Sequence, residues 1–202
     1  MLTIIPAKPF KASKTRLATV LSPAERADLT RHLLVRTIRI VAEISQALVV
    51  SRDERVAEVA KKAGAWVLPE QGANLNMAVS QGIAWAKTNE FTSVLILPLD
   101  LPHLTGAELK SLVDLGQQTC PNIVIAPCQH NTGTNALFLN PPDLIIPQFG
   151  PDSFAAHQAA ARGGGISAHI YRSPGLAFDL DTPDDWWAFV SCVSLESYQH
   201  SC

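Results

Sequence analysis

Residues 2–17 read Leu2-Thr3-Ile4-Ile5-Pro6-Ala7-Lys8-Pro9-Phe10-Lys11-Ala12-Ser13-Lys14-Thr15-Arg16-Leu17. An apolar run, Leu2–Ile5, empties into a loop carrying Lys8, Lys11, Lys14 and Arg16, and a helix start follows at Ser22-Pro23-Ala24-Glu25. In that order, strand, cationic loop and helix make an anion clamp. Fixed positive charges beside free backbone N–H groups oppose the self-repulsion of a triphosphate. The loop has neither the G-x-x-x-x-G-K-[ST] spacing of a P-loop nor the G-x-G-x-x-G of a dinucleotide site, which demotes both of those readings. A basic segment can also be plain solvated surface, so the phosphate reading depends on what the rest of the chain supplies.

Working outward, strand and helix patterns alternate to the end. The first helix opens on a capping box (Ser22 at the cap, Pro23 in the first turn, Glu25 three residues on) and runs through Leu29, Leu33, Leu34, Ile38 and Val41. Ala47–Val50 reads as a strand, Arg55–Ala63 as a helix stopped by Gly64, and Ala65–Leu68 as a short strand. Leu75–Ala86 is a helix with Gly82 inside it. Glycine there costs about 1 kcal/mol against alanine, so something is expected to pack closely against it. Val94–Leu97 is a buried strand, and Thr105-Gly106-Ala107-Glu108 repeats the capping box before a helix to Leu115. Ile123–Ala126 and Ala136–Leu139 are strands, Asp152–Arg162 a helix ended by Gly163-Gly164-Gly165, Ile166–Tyr171 a strand, and Thr182-Pro183-Asp184-Asp185 opens the last helix. This alternation predicts an α/β fold: one domain over residues 1–202, with a mostly parallel sheet and helices on both faces.

With 202 residues, 47% apolar and 17% charged, the chain suits a compact cytoplasmic enzyme rather than a disordered module. A net charge of −2 and the lack of any basic stripe argue against nucleic acid as a partner. The apolar runs are too short to cross a membrane, and Met1 leads straight into a strand, so no signal peptide is expected. Cys120, Cys128, Cys192 and Cys202 show no C-x-x-C pairing and no histidine at ligand spacing, which argues against zinc and for reduced thiols. Cys128 reads as a plain small residue rather than a nucleophile. The oligomeric state stays open, a homodimer included.

Ligands of open α/β sheets bind beyond the carboxyl ends of strands, so the residues after each apolar run matter most. Pro98-Leu99-Asp100-Leu101-Pro102 follows Val94–Leu97, and Asp179-Leu180-Asp181-Thr182-Pro183 follows Leu176–Phe178. Acidic residues on two separate strand ends can converge on a magnesium ion, which prefers one or two carboxylates plus substrate phosphates. Asp179 or Asp181 singly could also be a turn residue feeding the last helix. Asn131–Leu137 gathers hydroxyl and amide donors for a small oxyanion. In Phe149-Gly150-Pro151-Asp152-Ser153-Phe154, Gly150 permits close backbone approach, and Ser153 lies where N–H groups and the helix dipole favour an anion. Asn76 is expected against a ribose or base, with helix capping as the alternative, and His157 as a substrate contact.

Taken in order, Pro6–Pro9 with Lys14–Leu17, Asn74–Ala78, Leu97–Pro102, Gly133–Leu137, Phe149–Phe154 with His157, and Phe178–Asp185 resemble the guanylyltransferases of coenzyme F-420 biosynthesis. The resemblance runs from Leu2 to about Trp187. It departs from the family at Gln129–Thr132, where the family is Gly-rich or acidic, and the tail Phe189–Cys202 has no counterpart in it. It implies a Rossmann-like nucleotidyltransferase fold, with GTP on the basic loop (Lys8, Lys14, Arg16) and Mg2+ in the region of Asp100 and Asp181. It also implies a phosphorylated three-carbon acid on Thr134, Gly150 and Ser153. Phosphoenolpyruvate is the expected acid, with 2-phospho-L-lactate and 3-phosphoglycerate as alternatives. Further alternatives are a molybdopterin- or sugar-phosphate nucleotidyltransferase and a catalytically idle nucleotide-binding subunit.

Overall fold

The computed structural model describes residues 1–72 and 74–199, side chains from 192 onward excepted. The expectations for Cys202 and for the Cys192 thiol therefore lie outside the described residues. In chain order the elements are β1 (Leu2–Pro6), α1 (Pro23–Ala42), β2 (Gln46–Ser51), α2 (Glu54–Lys62), β3 (Trp66–Pro69), α3 (Leu75–Thr88) and β4 (Val94–Ile96). Then come α4 (Gly106–Gln117), β5 (Asn122–Pro127), β6 (Thr134–Asn140), α5 (Ser153–Gly163), β7 (His169–Ile170), α6 (Pro174–Ala177) and α7 (Pro183–Gln199). No helix among the described residues is long and apolar enough to cross a membrane.

Among the described residues, seven strands join one sheet in the order β3-β2-β1-β4-β6-β5-β7. The chain runs outward from β1 through β2 to β3, then crosses back to lay β4 on the other side of β1; these strands are parallel. That reversal opens a crevice beyond the carboxyl ends of β1 and β4. β6 is antiparallel to both of its neighbours, whereas β7 pairs parallel with β5. Period-two alternation supplies both cores. Ile5, Leu95 and Leu97 face α1, α2 and α4, while Leu2, Ile4, Val94 and Ile96 face α3 and α5.

Local chemistry explains the boundaries. Ser22 and Glu25 close a reciprocal capping box on α1, and Thr105 and Glu108 do so on α4. Gly82 is where α3 presses on the sheet: a Cβ there would come 2.7 Å from Ile4 Cγ2, closer than packed atoms approach. Two expectations are corrected. The strand expected over Ile166–Tyr171 shrinks to His169–Ile170, because the Ile166 N–H is held by the Ala161 carbonyl at the end of α5 and the chain reaches the sheet only afterwards. Leu176–Phe178 is not a strand end. Pro174 starts a short helix there, and Gly175 N–H is fastened to Glu108 Oε1 (2.8 Å), so α6 delivers the chain to Asp179 and Asp181.

Candidate functional site

The loop after β1 makes two 3-10 turns, Phe10–Ala12 and Thr15–Thr19, joined at Lys14 in the left-handed region (φ 53°). This turn drives the Lys14 side chain inward, where it is 5% exposed. Its ammonium donates to Asp100 Oδ2 (3.2 Å) and Asp181 Oδ1 (2.9 Å). Burial alone would lower the Lys14 pKa, but the two carboxylates outweigh it and hold the pKa above the usual lysine value. Asp100 and Asp181 are thus within reach of one cation although 81 positions separate them in the numbering. A backbone bond locks the two loops: Leu180 N–H donates to the Asp100 carbonyl (3.0 Å). Asp185 closes the start of α7 by accepting from Asp181 N–H (3.1 Å) and Thr182 N–H (2.7 Å).

Asp179 lies beside this pair. Burial raises its carboxyl pKa, as do the charges of Asp100 and Asp181, against the lowering effect of Asn135 Nδ2 at 3.4 Å. Among the described residues, no group of three or more His, Cys, Asp or Glu side chains is assembled closely enough to hold a metal ion by itself. The donor set that Lys14 bridges is two carboxylates, which suits a hard divalent cation shared with substrate phosphates.

Two cavities meet at this point. The first, of about 550 Å³, is lined by Arg16, Asp100, Cys128, Thr134, Gly150 and Ser153, with Asp179 and Asp181 at its wall. The second, of about 570 Å³, is lined by Lys8, Lys14, Thr30, Arg52, Glu70 and Asn74. Pro6, Leu75, Pro98, Asp100 and Asp181 border both. The expected residues are therefore brought together, with Lys8 and Lys14 on one side and Thr134, Gly150 and Ser153 on the other. Arg16 is 76% exposed and stands 3.9 Å from Asp181 Oδ2. Three non-glycine residues near the cavities, Lys14, Asn131 and Asp152, have φ of 53°, 57° and 54°, a strain that clusters at binding sites.

The far wall of the first cavity is a hydrogen-bonded cluster. Ser153 Oγ accepts from Thr134 N–H (3.0 Å), Thr134 Oγ1 meets His157 Nδ1 (2.9 Å), and His157 Nε2 accepts from Gln148 N–H (2.9 Å). His157 is fully buried and does not line the cavity, which corrects its expected role as a substrate contact. Burial pushes its pKa down to about 4, so the ring is neutral near pH 7. Gly150 has φ +138°, and among the described residues no atom outside it and its two chain neighbours lies within 4 Å of where a Cβ would stand. The helix start at Ser153 is not capped by Asp152, whose side chain makes no capping bond.

Asn76 is also corrected. Its Nδ2 donates to the Phe149 carbonyl (2.9 Å) and its Oδ1 accepts from Phe149 N–H (2.7 Å), so the amide holds the Gly150 loop instead of facing a nucleotide. Asn74, not Asn76, caps α3. Sequence reasoning missed Arg52, whose Nε and Nη2 grip Glu70 (3.0 and 2.7 Å) on the wall of the second cavity. Its position just after β2 is the same strand-end signal that singled out Asp100. Cys128 was read as a plain small residue. Its thiol accepts from Gly133 N–H (3.1 Å); burial raises its pKa, and the hydrogen bonds outweigh that and lower it.

The family described as Guanylyl transferase CofC like matches residues 1–191. A phosphoenolpyruvate guanylyltransferase of Rubrobacter xylanophilus is 38% identical over 184 residues, covering 90% of this chain and 89% of that protein. A 2-phospho-L-lactate guanylyltransferase of Methanothermobacter thermautotrophicus is 36% identical, covering 90% and 80%. Among solved structures, a nucleotidyl transferase from Methanothermobacter superposes with a TM-score of 0.70 at 14% identity, covering 94% of this chain and 95% of that one. The last likeness shows the nucleotidyltransferase fold, and the first three matches go further. Sheet reversal, bridged carboxylates and paired cavities thus occur in a chain that belongs to the CofC-like guanylyl transferases.

Proposed function

We propose that the protein transfers GMP from GTP to the phosphate of a phosphorylated three-carbon acid, with phosphoenolpyruvate as the preferred acid, in coenzyme F-420 biosynthesis. The observation that carries this reading is the shared wall of the two cavities. A chamber bearing Lys8, Lys14 and Arg52, the last paired with Glu70, adjoins a chamber that presents the hydroxyl residues Thr134 and Ser153, and Asp100 and Asp181 stand between them. GTP would lie in the chamber of Lys8, Lys14 and Arg52 with its α-phosphate at that wall, and the acid in the other chamber.

A phosphate oxygen of the acid attacks the α-phosphorus, the bond from that phosphorus to the β-phosphate bridging oxygen breaks, and pyrophosphate leaves. The products are enolpyruvyl-diphospho-guanosine and pyrophosphate. The attacking phosphate is already anionic near neutral pH, so no general base is required. The barrier is the approach of two polyanions, which positioning and charge neutralisation lower. Asp100 and Asp181 would hold Mg2+, which when bound supplies the charge stabilisation that two carboxylates alone would oppose. Lys14 orients those carboxylates, Lys8 and Arg16 contribute positive charge to the phosphates, and Thr134 and Ser153 donate to the acid, with the Gly150 backbone beside them.

The test is pyrophosphate release from purified protein, GTP and magnesium, with phosphoenolpyruvate, 2-phospho-L-lactate and 3-phosphoglycerate each in turn. Fastest turnover with phosphoenolpyruvate supports the reading. Faster turnover with another acid reassigns the substrate, and release with none of them rejects the reaction.

A further inference from the structure

The hydroxyl cluster has a direction that is settled by one backbone amide. A neutral imidazole has one N–H and one lone-pair nitrogen. Gln148 N–H can only donate, so His157 Nε2 must accept, and the ring proton is on Nδ1. Nδ1–H then donates to Thr134 Oγ1, 2.9 Å away. A hydroxyl whose oxygen is loaded by a donor turns its own proton elsewhere, and Thr134, 7% exposed, opens onto the first cavity. Ser153 repeats the arrangement: its oxygen receives Thr134 N–H, leaving its proton toward the same cavity. Phe149, held by Asn76, seals the ring edge-on with centroids 4.9 Å apart.

We propose that His157 is a positioning residue that, by donating to Thr134 Oγ1, turns the Thr134 hydroxyl proton toward the first cavity, so that Thr134 and Ser153 present a pair of donors to the acid substrate. This rests on the reading that those hydroxyls hold the phosphorylated acid. Two hydroxyls that each already accept one bond from the protein and turn their protons to the cavity favour a carboxylate or phosphate oxygen, which can only accept.

His157→Gln keeps a group near Nε2 but removes the Nδ1–H donor, whereas His157→Asn restores a donor near Nδ1. Steady-state kinetics of the magnesium-supplied enzyme should show His157→Gln raising the KM for the acid about five- to tenfold, with the KM for GTP and kcat within about twofold. His157→Asn should recover most of the loss. In a Thr134→Val background, His157→Gln should add nothing further. Equal rises in both KM values, or additivity with Thr134→Val, would mean a merely structural role and overturn the proposal. If Thr134→Val itself leaves the KM for the acid unchanged, the acid-site reading fails instead. Should the variants not fold, 15N-histidine spectra of the intact wild-type enzyme decide the matter. A protonated Nδ1 with unprotonated Nε2 at His157 supports the proposal, and the reverse tautomer ends it.

Discussion

The two sides of the crevice are built by different means. On the side of the second cavity, Lys14, Arg52 and Asp100 stand in the segments that follow parallel strands β1, β2 and β4, so chain topology brings them to one edge of the sheet, where ion pairs hold their side chains. On the side of the first cavity, Thr134, Gly150 and Ser153 are set by bonds between distant residues. Ser153 is tied to Thr134, Asn76 to Phe149, and Asn135 Nδ2 to the Leu176 carbonyl at 2.9 Å. Substitutions on the first kind of wall remove charge while the fold remains; on the second kind they remove geometry.

That contrast breaks first if Asp100→Asn is harmless. The change keeps shape and the Leu180–Asp100 backbone bond but deletes the charge shared with Lys14. Turnover should fall on the order of 10²–10³-fold, the scale of losing one preorganised electrostatic contact at a reacting group. Thermal melting should stay near wild type. Pyrophosphate release measured across a magnesium titration checks both halves; a fully active variant with unchanged magnesium demand would move the charge centre elsewhere.

Lys14→Ala and Arg16→Ala sharpen the comparison within one loop. Lys14 is buried between two carboxylates, so its removal leaves them unneutralised and should lower kcat/KM for GTP by roughly ten- to a hundredfold, matching about 1.5–3 kcal/mol for charge-assisted bonds. Arg16 is largely exposed, and solvent screening reduces such a charge to about 0–1 kcal/mol, a few-fold at most. Equal losses for the two would show that burial does not set the value of a charge in this loop.

Sequence legibility follows the same division. Both capping boxes, the apolar period of α1, and the close contact at Gly82 are local or pairwise signals, and the residues state them directly. Asp100 was legible because strand ends are where α/β sheets bind ligands. Arg52 stood at an equivalent place and was passed over because it lies outside the basic loop. Asn76 and His157 could be flagged as polar residues in a motif. Their partners, Phe149 and Thr134, are backbone and side-chain groups that only the folded antiparallel half brings near. The α6 helix was hidden for a similar reason, since Gly175 meets Glu108 across the fold.

Stability against pH tests the hydroxyl wall without any substrate. His157 titrates near 6.5 when unfolded and at about 4 when folded, because burial excludes its charged form. Below pH 6.5 the unfolded chain takes up a proton that the folded chain refuses. Stability is therefore fully present above pH 6.5 and is lost as the pH falls towards 4, by about 1.4 kcal/mol at pH 5.5. His157→Gln lacks this dependence. Urea unfolding at pH 7.5, 6.5 and 5.5 should find the variant less stable than wild type at pH 7.5, with the gap narrowing on acidification. A constant gap would mean the folded ring accepts its proton at an ordinary pH.

A smaller effect on catalysis than at Asp100 or Lys14 is expected at Ser153. Its hydroxyl has two jobs: the oxygen satisfies the buried Thr134 N–H, and the proton is offered to the cavity. Ser153→Ala ends both. Losing a single neutral donor is worth roughly 0.5–1.5 kcal/mol, so the KM for the acid should rise a few-fold while GTP binding, governed by the opposite wall, stays unchanged. The orphaned Thr134 N–H carries a separate cost of about 1–3 kcal/mol in folding. Ser153→Cys, which keeps a weak donor and acceptor of similar shape, should lie between wild type and alanine in both measurements. Equilibrium GTP binding and acid kinetics on the same samples separate the walls. If Ser153→Ala weakened GTP and spared the acid, the contents of the two cavities would have to be exchanged, and the charged wall rather than the hydroxyl wall would face the three-carbon substrate.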